Sequence, residues 1–414
     1  MSHHIMSSRT LFGEAKPAGP HLWLTLARMT AVQIAATSSV LALTALAPVV
    51  AETLGVGAYW IGYQVSFIYF AGLFASLSAG SLVARLSGEA IIASELVLLI
   101  AGLLLLATAV PALMILASVL FGVAYGINNP ASSVILQEVT PIKRRSLVFS
   151  LKQSGVPLGA VVANALLPLV ALWLSGWQAA ILTLAIVPTV LLALTVRHLG
   201  RVPQPVRQPG PGILRTAIAE QQAVMTDPSL RTLAALGCLL SAMQLTVTAF
   251  AVVSLVEIGW SIPQAGVLGA ALQIAGASGR VGWGVVADRI GPFRVLSMLG
   301  FVGGGLSLML YFQPILPTAV LAVVLICLGA CASGWNGVFL AAIARTAPPG
   351  RVGAATGAIL SYTFIGVIVG PSIFAAIYHA LGSYPLCFAV FAIPGLVGGV
   401  LGARRHAITG YVRT

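Results

Sequence analysis

Apolar residues in this 414-residue chain do not alternate with polar ones. They run in twelve long blocks, and most of the charge lies between them. A helix needs about 20 apolar residues to cross a bilayer. The blocks predict all-α spans at 24–50, 59–83, 90–110, 112–138, 147–172, 176–196, 230–256, 262–286, 293–312, 318–344, 353–380 and 384–403, numbered 1 to 12 here. The longest connection, 197–229, divides them six and six. This predicts an N-terminal bundle over 1–196, a linker over 197–229 and a C-terminal bundle over 230–414. The linker contains PQPVRQPGPG, which cannot form regular helix. Ile213 to Met225 after it reads as a short amphipathic surface helix or a plain linker helix.

Composition agrees: 59% of residues are hydrophobic and 7% charged, against about a quarter charged in soluble domains. The net charge of +12 points at first to nucleic acid or an acidic partner, but its distribution argues against that. Of 21 Lys and Arg, all but Lys152 and Arg280 fall on one side of the twelve-span arrangement, in the N-terminus, the even-to-odd connections and adjoining span ends, or the C-terminus. That is the positive-inside pattern. It predicts an inner-membrane protein with both termini in the cytoplasm. The opposite loops carry Glu52, Glu257 and His379. No cleavable signal peptide is expected, because the start is polar and the first span too long for one.

The two halves echo each other. Gly80-Ser-Leu-Val-Ala84-Arg85-Leu follows span 2, and Gly284-Val-Val-Ala-Asp288-Arg289-Ile-Gly291-Pro-Phe-Arg294 follows span 8, at an offset of 204. Asn129, Thr140-Pro141 and Arg144 match Asn336, Ala347-Pro348 and Arg351 at 207, as Gly159 matches Gly366. Such landmarks indicate an internal duplication of the kind that builds transporters.

Gly-x-x-x-Asp-Arg-x-Gly between spans 8 and 9 resembles the loop signature of the major facilitator superfamily, and the stretch between spans 2 and 3 resembles a worn copy of it. The resemblance covers the whole chain. It implies two pseudo-symmetric six-helix bundles around a central cavity, with spans 2, 5, 8 and 11 at the interface between them. It also implies that Asp288, Arg289, Arg294 and Arg85 latch the halves at the cytoplasmic side. In the first copy Ala84 stands in place of the acid.

Ionisable residues inside spans are expensive and serve as functional hypotheses. Arg280 lies eight residues before Asp288, about 12 Å deeper along a helix, with Gln273 on the same face. That spacing is similar to the monocarboxylate and oxalate–formate transporter group, in which this Arg binds a carboxylate. A guanidinium fork matches a carboxylate geometrically. Many of that group carry an acid where this chain has Gly276 and a Lys in span 1, which is absent here. Lys152, in Ser150-Leu-Lys152-Gln153-Ser-Gly155-Val-Pro157-Leu-Gly159, lies at a similar depth. It either faces the same cavity or snorkels to the headgroups.

Further polar candidates are Gln33 and Thr37 on span 1, Asn128 and Asn129 before Pro130 on span 4, Gln244 and Thr248 on span 7, Trp335 and Asn336 on span 10, and Tyr362 on span 11. Each could equally glue helices together. Glu95 in span 3 is expected to be structural, paired with a loop Arg, and Glu138 to join the cytoplasmic charges, with a proton-coupling role as the alternative for either. The four cysteines read as buried apolar thiols, and His3–His4 as a chance or cloned pair, so no metal or cofactor is expected. No phosphate-binding loop, metal-hydrolase helix or nucleophile elbow is present, so the chain is not expected to be an enzyme. Aromatic residues, at 7%, are sparse, which disfavours a stacked sugar or nucleoside site.

The reading is a monomeric secondary transporter moving a small organic anion, a carboxylate by preference, by alternating access. Its partners are that anion, a proton or counter-anion, and the lipid bilayer. A proton-coupled exporter of drugs or other lipophilic compounds is the alternative, although the chain lacks the span 4 Arg and the full span 5 glycine motif of many such proteins. A sensor that has lost transport is a third class.

Overall fold

The computed structural model describes residues 20–55, 59–174, 176–199 and 212–411. The His3–His4 pair and nearly all of the Pro/Gly-rich linker run lie outside the described residues. Every regular element among the described residues is helical. Among the described residues, ten helices are long and apolar enough to cross a membrane, or eleven if a bent pair is taken as one span. The remaining body, span 8 (Ile262–Ile290), reaches 29 residues and carries Gln273, Arg280 and Asp288.

The observed helices follow the apolar blocks closely: span 3 is Gly88–Ala107, span 4 Pro111–Val139, span 7 Pro228–Glu257, span 10 Thr318–Thr346 and span 11 Val352–Leu381. Other spans are broken in ways that hydropathy does not show. Span 1 is Pro20–Ala45 continued by Ala47–Leu54. Span 2 joins Tyr59–Leu77 to Ala79–Arg85 with a 51° bend. At that bend the Ser78 hydroxyl donates to the Phe74 carbonyl at 2.9 Å, and such back-bonding bends helices. Span 5 runs from Arg145–Gln153 through Gly155–Val161 and a π-helical turn, Val162–Leu166, to Leu167–Trp173. Pro168 cannot donate into the ladder, and a π-bulge is a recurrent way to absorb such a defect.

Glycines set the closest helix pairs, and they repeat with the sequence. A Cβ on Gly159 of span 5 would meet the Ile34 carbonyl of span 1 at 2.7 Å, and one on Gly366 of span 11 would meet the Cys238 carbonyl of span 7 at 2.1 Å. With no hydrophobic drive between helices in lipid, small residues that admit close backbones are what hold such pairs.

The first six spans meet the last six at the face that carries the basic loops, termed the basic face here. The start of span 5 packs on spans 8 and 10: Cβ atoms on Gly284 and Gly337 would meet Ser150 at 2.5 Å and 2.2 Å. The start of span 11 packs in the same way on span 2, where a Cβ on Gly357 would meet Ala79 at 2.4 Å and the Ser76 hydroxyl donates to the Gly357 carbonyl at 2.9 Å. The linker helix, Ile213–Thr226, crosses this face and touches both halves. Its Gln221 donates to the Ala358 carbonyl at 3.1 Å, and the Glu220 carboxyl lies against Gly80.

Candidate substrate cavity between the halves

Beyond the closed basic face lies a cavity of about 240 Å³, walled by both halves. From the last six spans come Arg280 and Gln273 of span 8, Trp335 and Asn336 of span 10, and Gln244 and Thr248 of span 7. From the first six come Thr37, Tyr69, Tyr125, Asn129 and Gln153. No Asp or Glu lines it among the described residues.

Arg280 is 4% exposed. One amino group donates to the Gln153 carbonyl at 2.7 Å, so it crosses from span 8 to span 5. Its Nε has no partner among the described residues. A guanidinium has five donors, and burying a cation without paired acceptors is costly. The cavity wall therefore presents an incompletely satisfied cation, the arrangement that an anion completes. Around it the amides are ordered: the Gln244 side-chain carbonyl accepts from Trp335 Nε1 and from Asn336 Nδ2, each at 3.0 Å. Tyr125, hydrogen-bonded to Thr37, stands within electrostatic reach of Arg280.

Lys152 is placed otherwise than either sequence expectation. It neither lines the cavity nor reaches the headgroups, being 0% exposed. Its ammonium donates to Gln33 Oε1 at 2.6 Å, Asn128 Oδ1 at 2.6 Å and Asn129 Oδ1 at 2.7 Å. Three donors meeting three amide oxygens leave none for snorkelling. Gln33 and Asn128 are drawn off the wall into this network, and Asn128 passes its amide hydrogen to Glu95 at 2.6 Å. Glu95 is thus not paired with the loop Arg expected from the sequence; its partner is Asn128, while Arg28 of span 1 is held by Glu89 at 2.7 Å. Tyr362 packs against the apolar core rather than on the wall.

At the basic face the Asp288 carboxylate accepts from the backbone amides of Ser146 and Leu147, both at 2.9 Å, and from Arg345 at 2.9 Å. It caps the start of span 5 across the interface, where a helix N-terminus favours an anion. Arg345, not Arg289 or Arg294, is its basic partner; the latter two are exposed, as is Arg85. Arg345 stands at the equivalent of Glu138, an offset of 207 that the sequence reading did not use. In the first copy, where Ala84 replaces the acid, the Glu220 carboxyl occupies the space beside Gly80, with Arg351 acting on it.

Tyr69, Tyr125, Phe339 and Phe364 were not foreseen on the wall. The chain average of 7% aromatic residues hid their concentration, since residues from spans 2, 4, 10 and 11 meet only in the fold.

The sequence profile of the Major Facilitator Superfamily matches residues 29–371 and 234–406. The chain belongs to that superfamily, and its ten or eleven helices long and apolar enough to cross a membrane make it a multi-pass membrane protein. It is 27% identical over 277 residues to an uncharacterized MFS-type transporter of Mycobacterium tuberculosis, and spans 60% of that relative's length. It is 24% identical to the gallate transporter of Pseudomonas putida, covering 68% of each chain. It is also 24% identical to the 4-hydroxybenzoate transporter PcaK of Pseudomonas aeruginosa, covering 86% of this chain and 89% of that one. Among solved structures, the human organic anion transporter MFSD10 superposes with a TM-score of 0.73 at 16% identity, over 93% of this chain and all of that one. The transporter FucP in its outward conformation gives 0.74 at 15% identity, over 93% and 99%.

Proposed function

We propose that this protein moves a small organic anion, an aromatic carboxylate by preference, across the inner membrane by alternating access, with both termini in the cytoplasm. The observation that carries the reading is Arg280: a buried guanidinium with an unpartnered Nε on the wall of a cavity that contains no acid among the described residues. A dry cavity of about 150 Å³ accepts benzene, so about 240 Å³ leaves room for a ring and its carboxylate. The carboxylate would pair with Arg280 while the ring packs against Tyr125, Phe339 and Phe364. The ring hydroxyls would meet the Gln244, Asn336 and Gln273 amides. Two relatives named for gallate and 4-hydroxybenzoate transport support this class. The absence of a wall acid weighs against an exporter of lipophilic cations.

Asp288, Arg345 and the amides of span 5 would serve as the cytoplasmic latch, released when the cavity turns inward. The driving force would be a proton or a counter-anion. Uptake of radiolabelled 4-hydroxybenzoate into liposomes containing the purified protein tests the reading. Saturable uptake, competed by gallate and not by lipophilic cations, is expected. Competition by cationic dyes alone would replace the anion reading with the exporter.

A further inference from the structure

The charged residues of the first six spans form a chain that the cavity wall does not explain. Glu95 and Lys152 are each 0% exposed, on spans 3 and 5, and Asn128 of span 4 stands between them. Asn128 gives its amide hydrogen to Glu95 Oε1 and takes one from Lys152 at its carbonyl, both at 2.6 Å. Lys152 also holds Asn129, whose side chain is on the cavity wall. Glu95 Oε2 is buried with no partner among the described residues.

The pair is lopsided. Three donors of Lys152 meet three acceptors, so its positive charge is well solvated by the protein. The two oxygens of Glu95 share one hydrogen bond. Of the two, Glu95 is therefore the group that can change charge without dismantling its neighbours. Elsewhere on the helices packed against span 3 are His21 and Arg28 of span 1, Arg85 of span 2, Tyr125 and Glu138 of span 4, and Arg197 and His198 of span 6. Arg28 is tied to Glu89, six residues from Glu95 on span 3. The charge that acts on Glu95 is that of Lys152.

We infer that Glu95 is a proton-binding site, wired to the substrate cavity through Asn128, Lys152 and Asn129. With Glu95 ionised, the network is neutral. With a proton taken from solvent onto Glu95, the charge of Lys152 is uncompensated and the wall at Asn129 becomes more positive. An anion then binds more tightly, and by linkage a bound anion draws a proton onto Glu95. One proton and one monoanion enter together, and their charges cancel. A unit charge acting over roughly 10 Å at an effective dielectric of about 20 is worth on the order of tenfold in affinity. This coupling rests on the anion reading above; the protonation itself does not.

Two measurements on the full-length reconstituted protein separate them. Infrared difference spectra across pH, without substrate, should show a carboxyl band that appears on acidification and is missing from Glu95→Gln. A titrating carboxyl spectrum in Glu95→Gln identical to that of the wild type overturns the proposal. Binding of 4-hydroxybenzoate should tighten about tenfold as the pH falls through that transition. In Glu95→Gln it should stay near the tight limit at every pH, and in Glu95→Asp it should regain a pH dependence. The wild-type pH dependence retained in Glu95→Gln also overturns it. Failure of the wild type to bind any aromatic carboxylate would overturn the proposed substrate instead, with the infrared result still deciding Glu95.

Discussion

Arg280 was legible in the sequence as an ionisable residue in a span, and the fold puts it on the cavity wall. Its bond to the Gln153 carbonyl means that it also touches the opposite half. A Lys at this position keeps the charge but loses the planar fork. Arg280→Lys should weaken 4-hydroxybenzoate binding by about tenfold to a hundredfold, in line with the 1.5–3 kcal/mol of a charged hydrogen bond, while titrations with a small inorganic anion such as chloride change less. Equal loss for both would make Arg280 a point charge without geometric selectivity. Lys152 illustrates what single positions withhold. Its depth is readable from the chain, but its partners come from spans 1 and 4, and three amides at the right separations are a property of packing. The same holds for Tyr69, Tyr125 and Phe364.

At the scale of helices, the twelve apolar blocks match the helices to within about four residues, except that the helix of span 12 runs on past 403 to Tyr411, because burial in lipid demands long apolar runs with internally satisfied backbones. The breaks at Ser78 and at the π turn of span 5 were not legible, since a hydroxyl bond and one missing amide donor leave hydropathy unchanged. Glycine contacts divide into two kinds with opposite consequences. Gly366 packs within the last six spans, and Gly337 packs across to Ser150. Gly366→Ala should lower the melting temperature by several degrees, as expected when overpacking costs about 1–3 kcal/mol. Gly337→Ala should leave melting nearly unchanged and open the basic face, read as faster maleimide labelling of a Val83→Cys reporter that faces Gly353. The linker helix adds a pH dependence. Burial pushes the Glu220 carboxyl up to about 7, against the opposing pull of Arg351. A folded value above the ordinary one means that docking of this helix is strongest below about 4.5 and weakens as the pH rises through about 7. Hydrogen exchange of the linker amides, corrected for intrinsic rates, should show protection falling over that window, and Glu220→Gln should flatten the response.

For the whole molecule, the two halves are closed on each other at the basic face, and a cavity lies beyond the closure. The repeat predicted this symmetry, but not how the damaged first copy would be completed. Glu220 of the linker lies beside Gly80, one turn before the position where the acid is missing, and Arg345 serves Asp288 where Arg289 and Arg294 were expected. Neither could be read from the loop motif, because both residues arrive from elsewhere in the chain. Asp288→Asn removes an ion pair and weakens the cap on span 5, a loss of about 2 kcal/mol. The conformational equilibrium should shift roughly thirtyfold toward a state open at the basic face. Labelling of Val83→Cys in that background reads the shift, and an unchanged rate would show that the Asp288 contacts do not hold the closed state.

The central claim is that Arg280 holds an anion between the halves. The most direct test is thermal stabilisation of the purified protein across aromatic carboxylates, inorganic anions and lipophilic cations, for the wild type and Arg280→Ala. 4-Hydroxybenzoate or a related acid should raise the melting temperature of the wild type, and Arg280→Ala should fold but lose the response. Stabilisation by the carboxylate that persists in Arg280→Ala, or stabilisation by lipophilic cations alone, would contradict it.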